Sequence, residues 1–230
     1  VITLTNNGYI KRMPEGAYKP QNRGGRGIKA LSTKDGDFVC QMFIVNTHDN
    51  LLFFTNYGNV YRLVGYEIPE AGRQARGTAI VNLLNLKEGE EVSTVLDVKE
   101  FEANKYFTMV TKTGIIKRTS VDAFKNMRKS GLKAINLKEN DELIGVEITD
   151  GKEELILTTR DGNAIRFDEN QVTQTSRNSM GVIGIRLNKE DEVVNFSIVN
   201  EDDYLVSVGE NGYGKLTKVS EFNTQNRAGK

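Results

Sequence analysis

At 230 residues, with 31 Lys and Arg balanced by 31 Asp and Glu, 38% hydrophobic and 27% charged, the chain reads as folded and globular rather than disordered. Its length suits one large all-β domain or two smaller ones. No apolar run approaches the roughly 18 residues of a membrane-spanning helix, and no basic stretch followed by an apolar one marks a secretory signal. A lone Cys40 excludes an internal disulfide, which fits a reducing compartment, and one Cys with one His excludes the usual four-ligand zinc site.

The chain repeats itself five times. Each unit opens on an apolar run, a short turn ending in Gly, and a basic run. The first reads Thr5-Asn6-Asn7-Gly8-Tyr9-Ile10-Lys11-Arg12 and the second Thr55-Asn56-Tyr57-Gly58-Asn59-Val60-Tyr61-Arg62. Thr111–Arg118, Thr159–Arg166 and Gly209–Leu216 follow, with turn glycines at 114, 162 and 212. The intervals between turn glycines are 50, 56, 48 and 50 residues.

Further marks recur in phase. Ten residues after each turn glycine stands an apolar side chain: Tyr18, Ile68, Phe124, Val172 and Phe222. A second glycine follows at 27, 77, 131 and 181, each preceded by basic residues. An acidic turn then comes after a Leu, as in Leu86–Val92, Leu137–Leu143 and Leu187–Val193, with a weaker version at Leu31–Phe38. In the second unit the β-type runs are about Leu51–Thr55, Val60–Val64, Thr78–Leu84 and Val92–Val98, rich in Val, Ile, Thr, Phe and Tyr. Helical periodicity is absent beyond a single turn near Val121–Met127.

Four short antiparallel strands per roughly 50 residues predict an all-β fold of propeller-like blades. The predicted boundaries are 1–45, 46–103, 104–150, 151–200 and 201–230, within one domain over 1–230. The fifth unit stops at Lys230, where its second glycine would be due near 231, so a longer parent chain is expected. Without Trp, the WD40 type is excluded. His48, in Asn46–Asn50, reads as a solvated turn residue, and Cys40, in the run Phe38–Val45, as a small buried hydrophobe. No phosphate-binding glycine loop and no catalytic constellation stands out.

The zero net charge hides a segregation. Segments 1–30, 51–80, 105–135, 160–187 and 212–230, which carry the two glycine loops, hold 25 basic and 8 acidic residues, net +17. The connecting segments hold 6 basic and 23 acidic, net −17. In a repeat, equivalent positions fall in equivalent places, so this pattern predicts a basic band fit for a polyanion.

The most specific stretch is Gln21-Asn22-Arg23-Gly24-Gly25-Arg26-Gly27, with Lys29 beside it. Its glycines allow close backbone approach to an anion and its arginines suit phosphate oxygens. A glycine-rich corner with exposed charges fits the same residues. This heptapeptide resembles the gyrase box, Gln-Arg-Arg-Gly-Gly-Arg-Gly, of the DNA gyrase A C-terminal domain, with Asn22 in place of the first Arg. The similarity extends repeat by repeat over essentially the whole chain.

The resemblance implies a six-bladed β-pinwheel whose neighbouring blades exchange strands, with about five blades visible here. It implies duplex DNA bound without sequence preference, bent and wrapped around a basic rim, so that the parent bacterial enzyme introduces negative supercoils. That parent is an ATP-dependent type IIA topoisomerase, cytoplasmic and nucleoid-associated. ATP, Mg2+ and the DNA-cleaving tyrosine belong to its other parts. This domain would carry no cofactor, metal or catalytic residue of its own. The implied partners are duplex DNA, the rest of gyrase A and, through it, gyrase B; no membrane is implied and the fragment itself is expected to be monomeric.

DNA contact is carried onto Arg23 and Arg26 first, within Gln21–Gly27 and Lys29. The later second-glycine loops are relics of the box and supply Arg73, Arg76, Arg128, Lys129, Arg177 and Arg227. Lys11, Arg12, Lys117 and Arg118 are expected as second contributors, while Arg62 and Arg166 fit packing between blades equally well. Two rival readings are a topoisomerase IV domain, whose box is degenerate or missing, and a protein-interaction propeller using the acidic band. Salt-dependent DNA affinity separates the last from DNA binding. An enzyme with a central-channel site is the remaining class, and any turnover by this chain alone would reveal it.

Overall fold

The computed structural model describes residues 1–17 and 36–229. The first repeat gives β1 (Ile2–Thr5), β2 (Tyr9–Arg12) and β3 (Val39–Phe43). The second gives β4 (Asn50–Thr55), β5 (Asn59–Val64), β6 (Thr78–Ala79) and β7 (Val92–Val98). The third gives β8 (Tyr106–Thr111), β9 (Ile115–Ser120), β10 (Leu132–Lys133) and β11 (Leu143–Thr149). The fourth gives β12 (Glu154–Thr159), β13 (Ala164–Asp168), β14 (Val182–Ile183) and β15 (Val193–Val199). The fifth gives β16 (Tyr204–Val208) and β17 (Gly214–Lys218). The architecture is all-β, and the only helices among the described residues are single 3₁₀ turns.

Sheet membership does not follow the repeats. The orders are β3-β1-β2-β6, β10-β5-β4-β7, β11-β8-β9-β14, β13-β12-β15 and β16-β17. The short third strand of a repeat thus joins the sheet of the repeat before it: β6 pairs with β2 through Tyr9↔Ala79 and Ile10↔Thr78, and β14 with β9 through Val182↔Ile116. The run expected at Thr78–Leu84 is accordingly shorter than its apolar pattern suggests. Only Thr78–Ala79 is strand, and Ile80–Asn82 turns away as a 3₁₀ turn that buries Ile80.

The hairpins form as their glycines dictate. Gly8, Gly58, Gly114, Gly162 and Gly212 all take φ between 71° and 85°, a region that costs a side-chain-bearing residue about 1 kcal/mol. In the first four, the N–H of Gly bonds the carbonyl of the Thr three residues earlier, at 2.8–3.0 Å. The same Thr hydroxyl accepts from the next N–H, as in Tyr9 to Thr5 at 3.1 Å and Ile115 to Thr111 at 3.2 Å. After the second to fifth hairpins a 3₁₀ turn delivers the recurring apolar residue inward: Ile68 and Phe124 are fully buried, Val172 nearly so, and Phe222 half-buried.

The chain divides into two compact units, Val1–Phe53 with Val60–Lys99 and Met127–Leu132, and Phe54–Asn59 with Glu100–Asn126 and Lys133–Lys230. The first is built on Ile2, Leu4, Ile10, Leu51, Phe53, Ile68 and their neighbours. The second is built on Val110, Ile116, Leu155, Leu157, Phe167, Val172 and Phe196. It also holds edge-to-face contacts of Phe107 with Phe54 and Phe124, at centroid distances of 5.2 and 5.0 Å. Burying each such side chain stabilises by about 1.5–3 kcal/mol.

Two single-residue expectations resolve differently. His48 lies exposed in a turn, edge-on to Tyr66. Cys40, expected inside, is exposed. It sits on β3, an edge strand whose neighbours Phe38, Met42 and Ile44 are also more than half exposed. An apolar run therefore overstates burial at a sheet edge.

Candidate nucleic-acid interface

The loops that carry the candidate arginines are shaped by strands of the preceding repeat. Gly77 takes φ +94°, and a Cβ there would overlap the carbonyl oxygen of Ile10. Gly181, at the same φ, would overlap that of Ile116, and Gly131 would meet the ring of Tyr61 at 2.8 Å. The in-phase second glycines thus let the loop lie against its neighbouring strand.

A backbone bridge fastens the same loops just upstream. Arg12 pairs with Glu70, Arg118 with Gln174 and Arg166 with Thr224, all in parallel sense. The N–H groups of Ala71, Thr175 and Gln225 reach the carbonyls of Arg12, Arg118 and Arg166 at 3.1, 2.9 and 2.7 Å.

Between bridge and glycine lies a buried lysine. Lys11 is fully buried and donates Nζ to the carbonyls of Gly72, Arg73 and Ala75 at 3.2, 2.6 and 3.0 Å. Lys117 is fully buried too and donates to the carbonyls of Ala134 and Arg177 at 2.7 and 2.5 Å. Desolvation pushes the pKa of the Lys117 ammonium down to about 8, with the nearby Arg177 charge adding to it, and desolvation lowers Lys11 as well.

These positions correct the expectation of phosphate contact at Lys11 and Lys117: their strands are covered on both faces, so neither ammonium reaches solvent. Arg118 is corrected likewise. It is only 8% exposed, with Nη1 3.1 Å from Glu169 Oε2 and its guanidinium 4.5 Å from the centre of the Tyr106 ring. Arg12 is half-buried, donates to the carbonyl of Ile68 and pairs with Glu70 at 3.3 Å. Arg166 packs inside its unit, against Glu154 and the carbonyls of Val219 and Phe222.

The loop residues divide. Arg73 and Arg128 are exposed and make no side-chain hydrogen bond or ion pair with any described residue. Lys129 is exposed, 3.2 Å from Glu67. Arg76 is half-buried over the Tyr9 ring at 5.2 Å, and Arg177 over Phe124 at 5.9 Å. Arg227 turns inward, donating Nε to the carbonyl of Gln171 and Nη1 to that of Ile183, at 3.1 and 2.7 Å. Gln21, Asn22, Arg23, Gly24, Gly25, Arg26, Gly27 and Lys29 lie outside the described residues.

Part of the acidic band has a structural task that its sequence did not reveal. Asp37, Asp141 and Asp191 are buried and accept the turn N–H groups of Asn7, Thr113 and Asp161 at 3.0–3.1 Å. Glu90 is buried as well and accepts the Tyr61 hydroxyl at 3.0 Å and the Lys87 N–H at 2.9 Å. Their recurrence at one point of the first four repeats is the signal that marks them. Among the described residues, no group of three or more His, Cys, Asp or Glu side chains is placed to hold a metal ion, and no helix is long and apolar enough to cross a membrane.

Comparison with known proteins gives a consistent result. The family described as DNA gyrase C-terminal domain, beta-propeller, matches at residues 1–46, 49–99, 105–150, 153–200 and 203–230. The DNA gyrase A protein of Clostridium acetobutylicum is 51% identical over the whole chain, which covers 28% of that protein. The chain spans about a quarter of the length of such curated relatives. Among solved structures, the C-terminal domain of DNA topoisomerase IV superposes with a TM-score of 0.85 at 32% identity, over 100% of this chain and 70% of that one. The DNA gyrase A C-terminal domain gives 0.77, also at 32%, over 99% and 74%.

Proposed function

Because the chain belongs to the DNA gyrase C-terminal domain family, we propose that it binds duplex DNA without sequence preference through its arginine-bearing loops, bending and wrapping the duplex with one handedness. The observation that carries this reading is the recurrence of arginines on loops built the same way, within segments of net charge +17. In the parent protein the wrapped segment would be presented for strand passage, so that a topoisomerase driven by ATP and assembled with gyrase B introduces negative supercoils. The catalytic groups of that reaction would lie outside this chain.

The physical logic is phosphate neutralisation. No helix among the described residues suits a major groove, so contacts to phosphate dominate and sequence is not read. Bending a 20–30 bp site smoothly costs on the order of 1–6 kcal/mol, which contacts from several loops must offset. A single loop would bind; a series is needed to wrap. A topoisomerase IV identity is supported by the higher TM-score alone, whereas the gyrase identity is supported by the family match, the 51% relative and the box at 21–27.

If about six phosphates are neutralised, the logarithm of affinity falls against the logarithm of salt with a slope near −5. Arg23→Ala with Arg26→Ala should abolish wrapping, shrink the slope by about two and leave the circular dichroism spectrum unchanged. Retained wrapping by the folded double variant would remove the box from this role.

A further inference from the structure

We propose that Lys11 and Lys117 are positioning residues of the interface: each buried ammonium bonds the main chain of the arginine-bearing loop supplied by the next repeat, Lys11 at Gly72, Arg73 and Ala75 and Lys117 at Arg177, and so fixes the backbone from which Arg73 and Arg177 project. The inference rests on the DNA-binding reading above, but concerns residues that make no contact with solvent or DNA.

Three features support it. First, the chemistry fits. A lysine ammonium is a donor without an acceptor, and the carbonyls of Gly72, Arg73 and Ala75 accept from Lys11, as those of Ala134 and Arg177 accept from Lys117. Second, the grip falls between two other fastenings of the same loop to the same strand. Around Lys11 these are the Ala71-to-Arg12 backbone bond and the close approach of Gly77; around Lys117 they are the Thr175-to-Arg118 bond and Gly181. A loop held at three points loses little further freedom when its arginine meets a phosphate, which is the gain from preorganisation.

Third, the repeats vary together. The column that holds Lys11 and Lys117, three residues after the turn glycine, holds Tyr61 and Ile165 in the second and fourth repeats and an exposed Lys215 in the fifth. The Tyr61 hydroxyl donates to Asn85 and Glu90, within its own repeat. In the loop after Tyr61, the place of Arg73 and Arg177 is taken by Met127. In the loop after Ile165 that place holds Arg227, whose own guanidinium binds the carbonyls of Gln171 and Ile183. Where the lysine is present, the arginine makes no such inward bonds to described residues. Where the lysine is missing, that place holds either Met127, with the exposed Arg128 one residue later, or the inward-turned Arg227.

A buried cation is a poor choice for packing alone, since a methionine fills similar space without the desolvation cost. The test is a double-mutant cycle on the 230-residue chain, using Lys117→Met, Arg177→Ala and both together. Affinity is read by anisotropy of a labelled random-sequence duplex, and amide exchange is followed in residues 175–181. Lys117→Met should weaken binding about five-fold, speed exchange in that loop, and add nothing further in the Arg177→Ala background. Additive losses, or a folded variant with unchanged affinity and exchange, would overturn the proposal. The same cycle with Lys11→Met and Arg73→Ala guards against a folding defect at one site, and unfolding of both lysine variants would make them core residues and overturn it too. Absence of binding by the unsubstituted chain would count against the DNA reading itself, and the exchange data would then decide the fastening independently.

Discussion

Replacing Gly181 by Ala is expected to destabilise its compact unit by about 3 kcal/mol or more, the sum of a left-handed backbone and an unavoidable clash. At φ +94° an alanine is strained whatever the space around it, and its Cβ would overlap the carbonyl oxygen of Ile116. That carbonyl cannot retreat, because Ile116 sits in the centre of its sheet, paired with Val182 on one side and Val110 on the other. Gly162→Ala is the control. It has nearly the same φ, +85°, but nothing within 4 Å, so it should cost about 1 kcal/mol. Denaturant midpoints of the two variants check this, and equal losses would mean that conformation rather than close approach explains the second glycines.

Glu169→Ala should cost about 3–5 kcal/mol, the usual penalty for removing one partner of a buried ion pair. Glu169 is fully buried, accepting the N–H groups of Gly151 and Glu153 at 2.7 and 2.9 Å and Arg118 Nη1 at 3.1 Å. Truncation leaves two amide donors and the Arg118 guanidinium without that acceptor; Arg118 Nε already has no hydrogen-bond partner among the described residues. Glu70→Ala removes the partner of Arg12 at a site where the carboxylate is 55% exposed, and should cost less than about 1 kcal/mol. Thermal melts of the two variants decide it, and similar losses would show that burial does not control these pairs. Adding Arg118→Met to Glu169→Ala should recover part of the loss, because the orphaned charge disappears with its partner.

Much of the fold was legible because turn chemistry and period are local properties. A glycine needed for positive φ at the end of a short turn announces a hairpin, and five of them at intervals of 48–56 residues announce a repeat. The all-β, propeller-type expectation follows from that and agrees with the family match. The strand exchange is non-local, and residues 78–79 carry no mark that sends them to the sheet of the preceding repeat. Resemblance, not composition, implied it.

The candidate site was legible in part. Charge counting singles out the arginine-bearing loops but cannot see which face of a strand each cation occupies, so Lys11, Lys117 and Arg118, expected as second contributors, lie inside instead. The correcting signal was present in the sequence. A column that reads Lys11, Tyr61, Lys117, Ile165 and Lys215 accommodates apolar and aromatic side chains in two of its five places, which a phosphate-facing position would not favour. In the first and third repeats its lysine stem packs in the interior and the ammonium finds acceptors there, whereas Lys215 is exposed. Asp37, Glu90, Asp141 and Asp191 carry the same lesson with opposite charge. They belonged to an acidic band by count, yet in the fold they are buried hydrogen-bond acceptors, three of them clamping hairpin turns.

The central claim is that the chain wraps duplex DNA with one handedness, and the linking number reads that directly. A nicked plasmid would be resealed with ligase in the presence of increasing amounts of the chain, deproteinised, and its topoisomers resolved. The account predicts a shift of one sign that grows with the protein-to-DNA ratio and is lost in the Arg23→Ala, Arg26→Ala variant. A topoisomer distribution that stays at the protein-free position, under conditions where a gel shows the DNA fully bound, would contradict it.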